Sequence, residues 1–263
     1  MLLVDLDLQF GEVSLALGLH PERTVADLTD EESYVQAFPE YVMSHSAGYQ
    51  VLSAPTDPFS AERVGPREAT AVLEAARRLY DYIVVDTPPS LNEVVLATFD
   101  QSRHLIVMAS MDVPALRNLT VFLETIDRLH LPADDMNCLL NKAEPDNGID
   151  LEELLRVHPA GFAAVLPYAR EVSRSLNVGQ PVVVVDAKAE ISQRIIEVCA
   201  RLVPAAEIRN DWSGGAHGRG HWHLPRRRAK EPQPAAGPGD GRGAAPVPEY
   251  HLQPPTNGQV INL

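Results

Sequence analysis

Met1–Asp7, MLLVDLD, and Asp81–Ser90, DYIVVDTPPS, are the two stretches on which the fold turns. Each is a short apolar run that ends in a carboxylate, with no polar residue alternating inside the run. A strand that is apolar on both sides is buried on both faces, which happens in a parallel sheet covered by helices. Outward from these two runs, Leu2–Leu6, Gln50–Ala54, Tyr82–Asp86, His104–Ala109, Met136–Asn141 and Ala163–Pro167 read as strands. Segments of helical period lie between them, near Pro66–Leu79, Val113–Leu129, Leu151–Val157 and Ala189–Leu202. In Val113–Leu129, Leu116, Leu119, Phe122, Leu123, Ile126 and Leu129 share one face, while Arg117, Glu124 and Arg128 point outward. The expected fold class is α/β, a mostly parallel sheet with helices on both faces.

A chain of 263 residues can bury a substantial core. The pattern stops near Leu202, so the expected organisation is a domain over residues 1–203 and a Pro/Gly-rich disordered tail over 204–263. The tail holds nine prolines and nine glycines and cannot bury enough apolar surface to offset its ordering entropy. Its closing residues, QVINL, have the composition of a strand that could dock. Seven basic and five acidic residues put the tail at +2 and everything before it at -16. An acidic body is repelled by nucleic-acid phosphates and anionic headgroups, so no specific nucleic acid is expected as a partner. Cys138 and Cys199 lie in apolar runs and read as buried thiols of a reducing compartment. No stretch of eighteen apolar residues and no signal peptide is present, and the expected location is cytoplasmic.

In parallel α/β sheets ligands gather at the carboxyl ends of strands. Asp5 and Asp7, two apart, share a face as the chain leaves the first strand; Asp86 closes YIVVD; Asn141 and Lys142 close LLNK. Any one of these alone reads as a cap or turn residue. An aspartate closing an apolar strand is also what a Mg2+ site needs, where its carboxylate holds a water of the ion. Three such groups in order on successive strands point to a site.

The stretches LLVDLDLQFGEVSLALGL, YDYIVVDTPPSLNEVVLATFDQSRHLIVMASMDVPALRN, LLNK and LPYAREVSRSLNVGQPVV resemble the MinD/ParA superfamily of P-loop ATPases, within it the CpaE-like proteins of Flp (tad) pilus assembly. The resemblance implies ATP and Mg2+ as cofactors and a role for each matching residue. Asp7 takes the place of the catalytic aspartate that orients or activates the attacking water, and Asp5 that of its partner near metal and phosphates. Asp86 takes that of the aspartate holding Mg2+ through water, Asn141 that of the adenine reader, and Pro167 and Tyr168 that of the loop against the base. Glu144 stands where a guanine-reading motif has aspartate, which favours adenine.

One departure from that family is large. Its members carry a first strand, a glycine-rich loop with two lysines and a helix before the strand that here starts at Met1. The only lysines are Lys142, Lys188 and Lys230, and no glycine-lysine pair follows a strand. The cradle of backbone N–H groups and lysine that holds phosphates is thus not supplied by these residues, and this chain alone is expected to be deficient in nucleotide binding and inactive. Without the missing central strand, Tyr82–Asp86 and His104–Ala109 must pair directly or leave unsatisfied edges. The chain therefore reads as N-terminally truncated, with a degenerate paralogue as the other reading.

The remaining features read plainly. His217, His221 and His223 lie in a glycine-rich stretch and are incidental rather than a metal site, and Arg226–Arg228 with Lys230 are solvated charges. Thr87 and Ser90 have no histidine nearby in sequence and read as caps rather than nucleophiles. The resemblance implies, for an intact member, an ATP-dependent homodimer that positions or regulates a pilus or secretion assembly, peripheral at the inner face of the membrane through those partners. A nucleotide-free protein-interaction module, or a septum-site or partition regulator of the same fold, is the alternative.

Overall fold

The computed structural model describes residues 1–131, 136–144, 149, 151–203 and 259–262. The tail histidines and arginines, and most of the segment expected to be a disordered tail, lie outside them. Eight strands form one sheet: β1 (Leu2–Asp5), β2 (Met43–Ser44), β3 (Gln50–Leu52), β4 (Tyr82–Asp86), β5 (His104–Ser110), β6 (Met136–Ala143), β7 (Ala164–Pro167) and β8 (Gln259–Asn262). The helices are α1 (Val13–Ala16), α2 (Val25–Leu28), α3 (Tyr34–Ala37), α4 (Pro58–Ala61), α5 (Pro66–Leu79), α6 (Glu93–Gln101), α7 (Val113–Arg128), α8 (Leu151–Val157), α9 (Arg170–Asn177), α10 (Val182–Val185) and α11 (Glu190–Leu202).

The strand order is β2-β3-β1-β4-β8-β5-β6-β7, and every pair is parallel except β2 with β3. Successive residues of a strand feed opposite layers, as the pleat requires. Ile83 and Val85 join Leu2, Val4 and Leu6 under α2 and α5, while Tyr82 packs with Ile106, Leu139, Leu166 and Ile261 under α10 and α11. Leu105 turns to the first side again, onto Val95 and Phe99 of α6 and Ile126 of α7. Helices thus cover both faces, as expected.

Local chemistry sets the helix starts. Glu68 accepts the Gly65 N–H (3.0 Å) ahead of Pro66 at the first position of α5. Asn92 Oδ1 accepts from Val95 N (2.9 Å) at α6, and Asp112 Oδ1 from Ala115 N (2.8 Å) at α7. Each bond satisfies an amide that the first helical turn leaves without a partner. The capping role expected of Thr87 and Ser90 before α6 falls to Asn92, whose Nδ2 donates to Ser90 Oγ (3.3 Å).

Three expectations change. β4 and β5 do not pair with each other: β8, from the closing QVINL segment, lies parallel between them, beside Tyr82–Val85 of β4 and His104–Leu105 of β5. Leu129, expected on the buried face of its helix, is the C-cap of α7 and is exposed, since the helix has left its packing partners by then. Cys138 is buried, but Cys199 is exposed: Val198 takes the inward position of α11 and the next residue is rotated about 100° away. Among the described residues no helix is long and apolar enough to cross a membrane.

A clasp ties the turn between β2 and β3 to the segment after α9. The buried His45 accepts the Ala47 N–H at Nδ1 (3.1 Å), so its Nε2–H donates to the carbonyl of Gly179 (3.1 Å), between α9 and α10. Gly179 is itself pressed against Leu17 and Gly18 behind α1, at a φ of +65°. Replacing His45 by Ala strands two backbone groups. It should lower stability by about 1–3 kcal/mol in urea unfolding, whereas Arg128→Ala, which removes an exposed pair to Glu124, should change it by less than about 0.5 kcal/mol.

Candidate functional site

β1 and β4 run side by side with Asp5 opposite Asp86, which brings the two carboxylates to the carboxyl edge of the sheet. Asp5 is almost fully buried at 1% exposure, and both its oxygens are engaged: Oδ1 accepts from Asp7 N (3.1 Å) and Oδ2 from Val13 N (3.2 Å), at the start of α1. Asp7, half-buried, accepts the Phe10 N–H at Oδ1 (3.2 Å) and so shapes the turn that leads away from β1.

Burial pushes the Asp5 carboxyl up to about 7, the Asp86 charge adds to that, and the two N–H donors oppose it. Asp86 is also raised, first by burial and then by the charge of Asp7. Three carboxylates thus press on one another at a partly dry strand edge, an arrangement that gains from a positive charge. Among the described residues no group of three or more His, Cys, Asp or Glu side chains is set to grip a metal ion directly. Since Asp5 spends both oxygens on backbone amides, the groups that can meet a hydrated cation are Asp86 and the remaining oxygen of Asp7.

The second group of candidates lies along the same edge. Asn141 ends the regular part of β6; its Oδ1 accepts from Lys142 N (2.9 Å) and its carbonyl from Met111 N (3.2 Å). Lys142 has a φ of +51°, and the register with β7 shifts between Leu140 and Ala143. That kink brings Pro167 opposite Ala143, and Tyr168 donates its N–H to the Ala143 carbonyl (3.0 Å). Asn141, Pro167 and Tyr168 are therefore neighbours, with the Tyr168 ring exposed. Along the strand order, Asn141 on β6 stands three strand spacings, about 14 Å, from Asp86, and Pro167 on β7 stands four, about 19 Å.

The structure adds residues that the sequence reading did not single out. A Cβ on Gly11 would sit 2.5 Å from Ala54 Cβ, 2.6 Å from Asp5 Oδ2 and 2.7 Å from the Asp7 carbonyl. Ser14 and Ser53 join α1 to the end of β3 through their hydroxyls, 2.5 Å apart. Gly11 had a signal, as the glycine closing DLDLQFG; the serine pair had none, because its members are 39 residues apart.

A mostly parallel sheet with helices on both faces and acidic strand ends at its carboxyl edge defines a doubly wound α/β protein with a ligand edge. Residues 1–138 match the model of a family described as AAA domain. The sporulation initiation inhibitor protein Soj of Bacillus subtilis is 25% identical over 207 residues, covering 72% of this chain and 80% of its own. A ParA family ATPase from Chlorobium tepidum superposes with a TM-score of 0.68 at 22% identity, over 74% of this chain and 83% of that one. The septum site-determining protein MinD of Pyrococcus horikoshii, complexed with Mg-ADP, gives 0.66 at 19% identity over 78% and 84%. The chain belongs to that family, within the MinD/ParA superfamily of P-loop ATPases.

Two measurements test the site. A carboxyl raised in the folded state binds its proton more tightly there than when unfolded, so its stabilising effect is complete below the ordinary value of 3.8 and is lost as pH rises through about 7. Between pH 5 and 8 the parent chain should therefore lose about 2–3 kcal/mol relative to Asp5→Asn, read from urea midpoints at both values. Gly11→Ala should cost about 1–3 kcal/mol, because backbone and buried side-chain atoms must move to admit its methyl group.

Proposed function

We propose that this chain is the switch-and-base portion of a CpaE-like ATPase of the MinD/ParA type, which positions or regulates a pilus or secretion assembly as an ATP-dependent dimer. The observation that supports it is the shared edge: Asp5, Asp7 and Asp86 at one end, and Asn141, Pro167 and Tyr168 about 14–19 Å along it. In this reading Asp86 holds Mg2+ through a water, Asp7 orients the attacking water, and Asp5 fixes the loop that carries Asp7. Asn141 faces the adenine edge, while Pro167 and Tyr168 flank the base. Mg-ATP, when bound, supplies a phosphoanhydride whose loss can switch the dimer off.

The residues present fit the cation better than the triphosphate. Half-buried carboxylates favour a cation, but they repel phosphates, and the lysines among the described residues, Lys142 at the exposed kink of β6 and Lys188 in an exposed turn, form no cradle. No chemical step is assigned to ATP on these residues alone. The exposed Phe10, Leu15 and Phe59 support the second reading, an interaction module that works without nucleotide.

Calorimetric titration separates the two. The 263-residue chain should bind Mg-ATP no tighter than about 1 mM. A chain extended at its N-terminus with the in-frame upstream residues should bind in the micromolar range if they encode a glycine-lysine-threonine loop, and lose that binding with Asp86→Asn. Micromolar affinity in the 263-residue chain overturns the deficiency, and no binding in the extended chain favours the interaction module.

A further inference from the structure

Beside β2, on the rim of the sheet away from Asn141, lies a cavity of about 430 Å3, lined by His20, Glu22, Arg23, Glu40, Tyr41 and Met43. Its charges are unequally matched. Arg23 is already engaged: its Nη1 donates to Glu40 Oε2 at 2.8 Å, and its guanidinium lies 5.1 Å from the centre of the Tyr41 ring. Glu22, exposed, forms no ion pair among the described residues. Tyr41 is buried and donates its hydroxyl to Glu31, which fixes the ring as an aromatic wall.

The surroundings carry the same sign. Residues 20–44 hold six carboxylates against one arginine, and Arg63 answers only Asp27 and Asp30. Backbone groups add to the side chains. His45 N donates to the Tyr49 carbonyl (2.9 Å), and Met43 stands opposite Val51 in the antiparallel pair of β2 with β3. In such a pair the backbone faces its partner at every second residue, so Met43 and His45 face β3 while the N–H and carbonyl of Val42 and Ser44 point outward. Val42 also lines the cavity, so the outward row and the spare carboxylate adjoin.

We propose that this rim is a docking site for an extended, basic segment of a partner protein. The segment runs along β2, bonds to the outward groups of Val42 and Ser44, and places one Lys or Arg side chain in the cavity. The aliphatic stem of that side chain lies against Tyr41 and Met43, and its charged head meets Glu22. Charge selects the occupant, because a basic segment is drawn to this face and an acidic one is repelled. Two outward residues supply few backbone bonds, so the cavity supplies most of the affinity. The inference stands on this rim alone and does not depend on the nucleotide reading.

Fluorescence anisotropy with labelled peptides and the full 263-residue chain tests it. The probe is Thr-Val-Arg-Val-Arg-Val-Thr, compared with the same peptide carrying Glu for Arg and with the same peptide N-methylated at its five central residues. The probe should bind saturably below about 1 mM, and both comparison peptides at least tenfold more weakly. Glu22→Lys should weaken the probe at least tenfold, whereas Glu152→Lys, an exposed charge change on α8, should weaken it less than twofold. Ser44→Pro, which removes an outward N–H and leaves the ladder to β3, should weaken it at least threefold. Should Ser44→Pro fail to fold by far-UV circular dichroism, the N-methylated peptide decides the backbone part by itself. Absence of saturable binding overturns the proposal, as does equal weakening by Glu22→Lys and Glu152→Lys, or equal affinity for the plain and N-methylated peptides. Tenfold tighter binding by a chain with Arg226, Arg227, Arg228 and Lys230 changed to Gln assigns the rim to the chain's own tail. A dimer in analytical ultracentrifugation that Glu22→Lys dissociates assigns it to a second copy, and either result overturns the partner segment.

Discussion

Every backbone amide and carbonyl in a strand buried on both faces must find a partner on each side, and in this sheet that requirement is hardest to meet between β4 and β5. Both strands are apolar throughout their centres, and neither can turn an edge to solvent without exposing them. The four residues of β8 meet the demand on the β4 side and part of it on the β5 side. Around that seam the halves are tied by side chains: Tyr82 reaches into the cluster of Ile106 and Leu139, and the His45 clasp joins the β2–β3 edge to the segment after α9. The ligand edge is only as continuous as this seam, because the carboxylates sit on one half and Asn141 with Tyr168 on the other.

The acidic cluster is explicable from the same layout. Parallel strands in register put Asp5 beside Asp86 whatever their charges, and burial then raises both carboxyls. The backbone answers part of the charge, with two N–H donors on Asp5 and one on Asp7. These bonds fix the chain around Gly11, whose missing side chain leaves the room that Ala54 and Asp5 occupy. The site is therefore rigid at Asp5 and open at Asp86, the order expected if one carboxylate shapes the loop and the other meets what binds.

Much of the fold was legible in the sequence, for identifiable reasons. β4, α5 and α8 have the bounds that periodicity and punctuation give them, because Asp81, Pro66 and the apolar runs mark their ends in the chain itself. The strands Leu2–Asp5 and Ala164–Pro167 came out within a residue. What escaped depends on tertiary contact. Glu93–Gln101 carries too many branched residues to read as helix, and its cap, Asn92, is a single residue. PVVVVD would read as a strand on β-branched content, yet Val182–Val185 is one helical turn packed under α11. QVINL reads as a strand wherever it lies; its slot between β4 and β5 follows from no local feature. In the site, the aspartates and Asn141 were visible because each closes an apolar run, whereas Gly11 and the Ser14–Ser53 contact depend on how β1 and β3 are set side by side.

The position of β8 also bears on how the protein is made. A ribosome delivers β4 and β5 long before it delivers residue 259, so both strands must wait, with a row of backbone groups unpaired, while the chain between them and β8 is still being synthesised. Sheets completed by such distant segments assemble slowly and present sticky edges meanwhile.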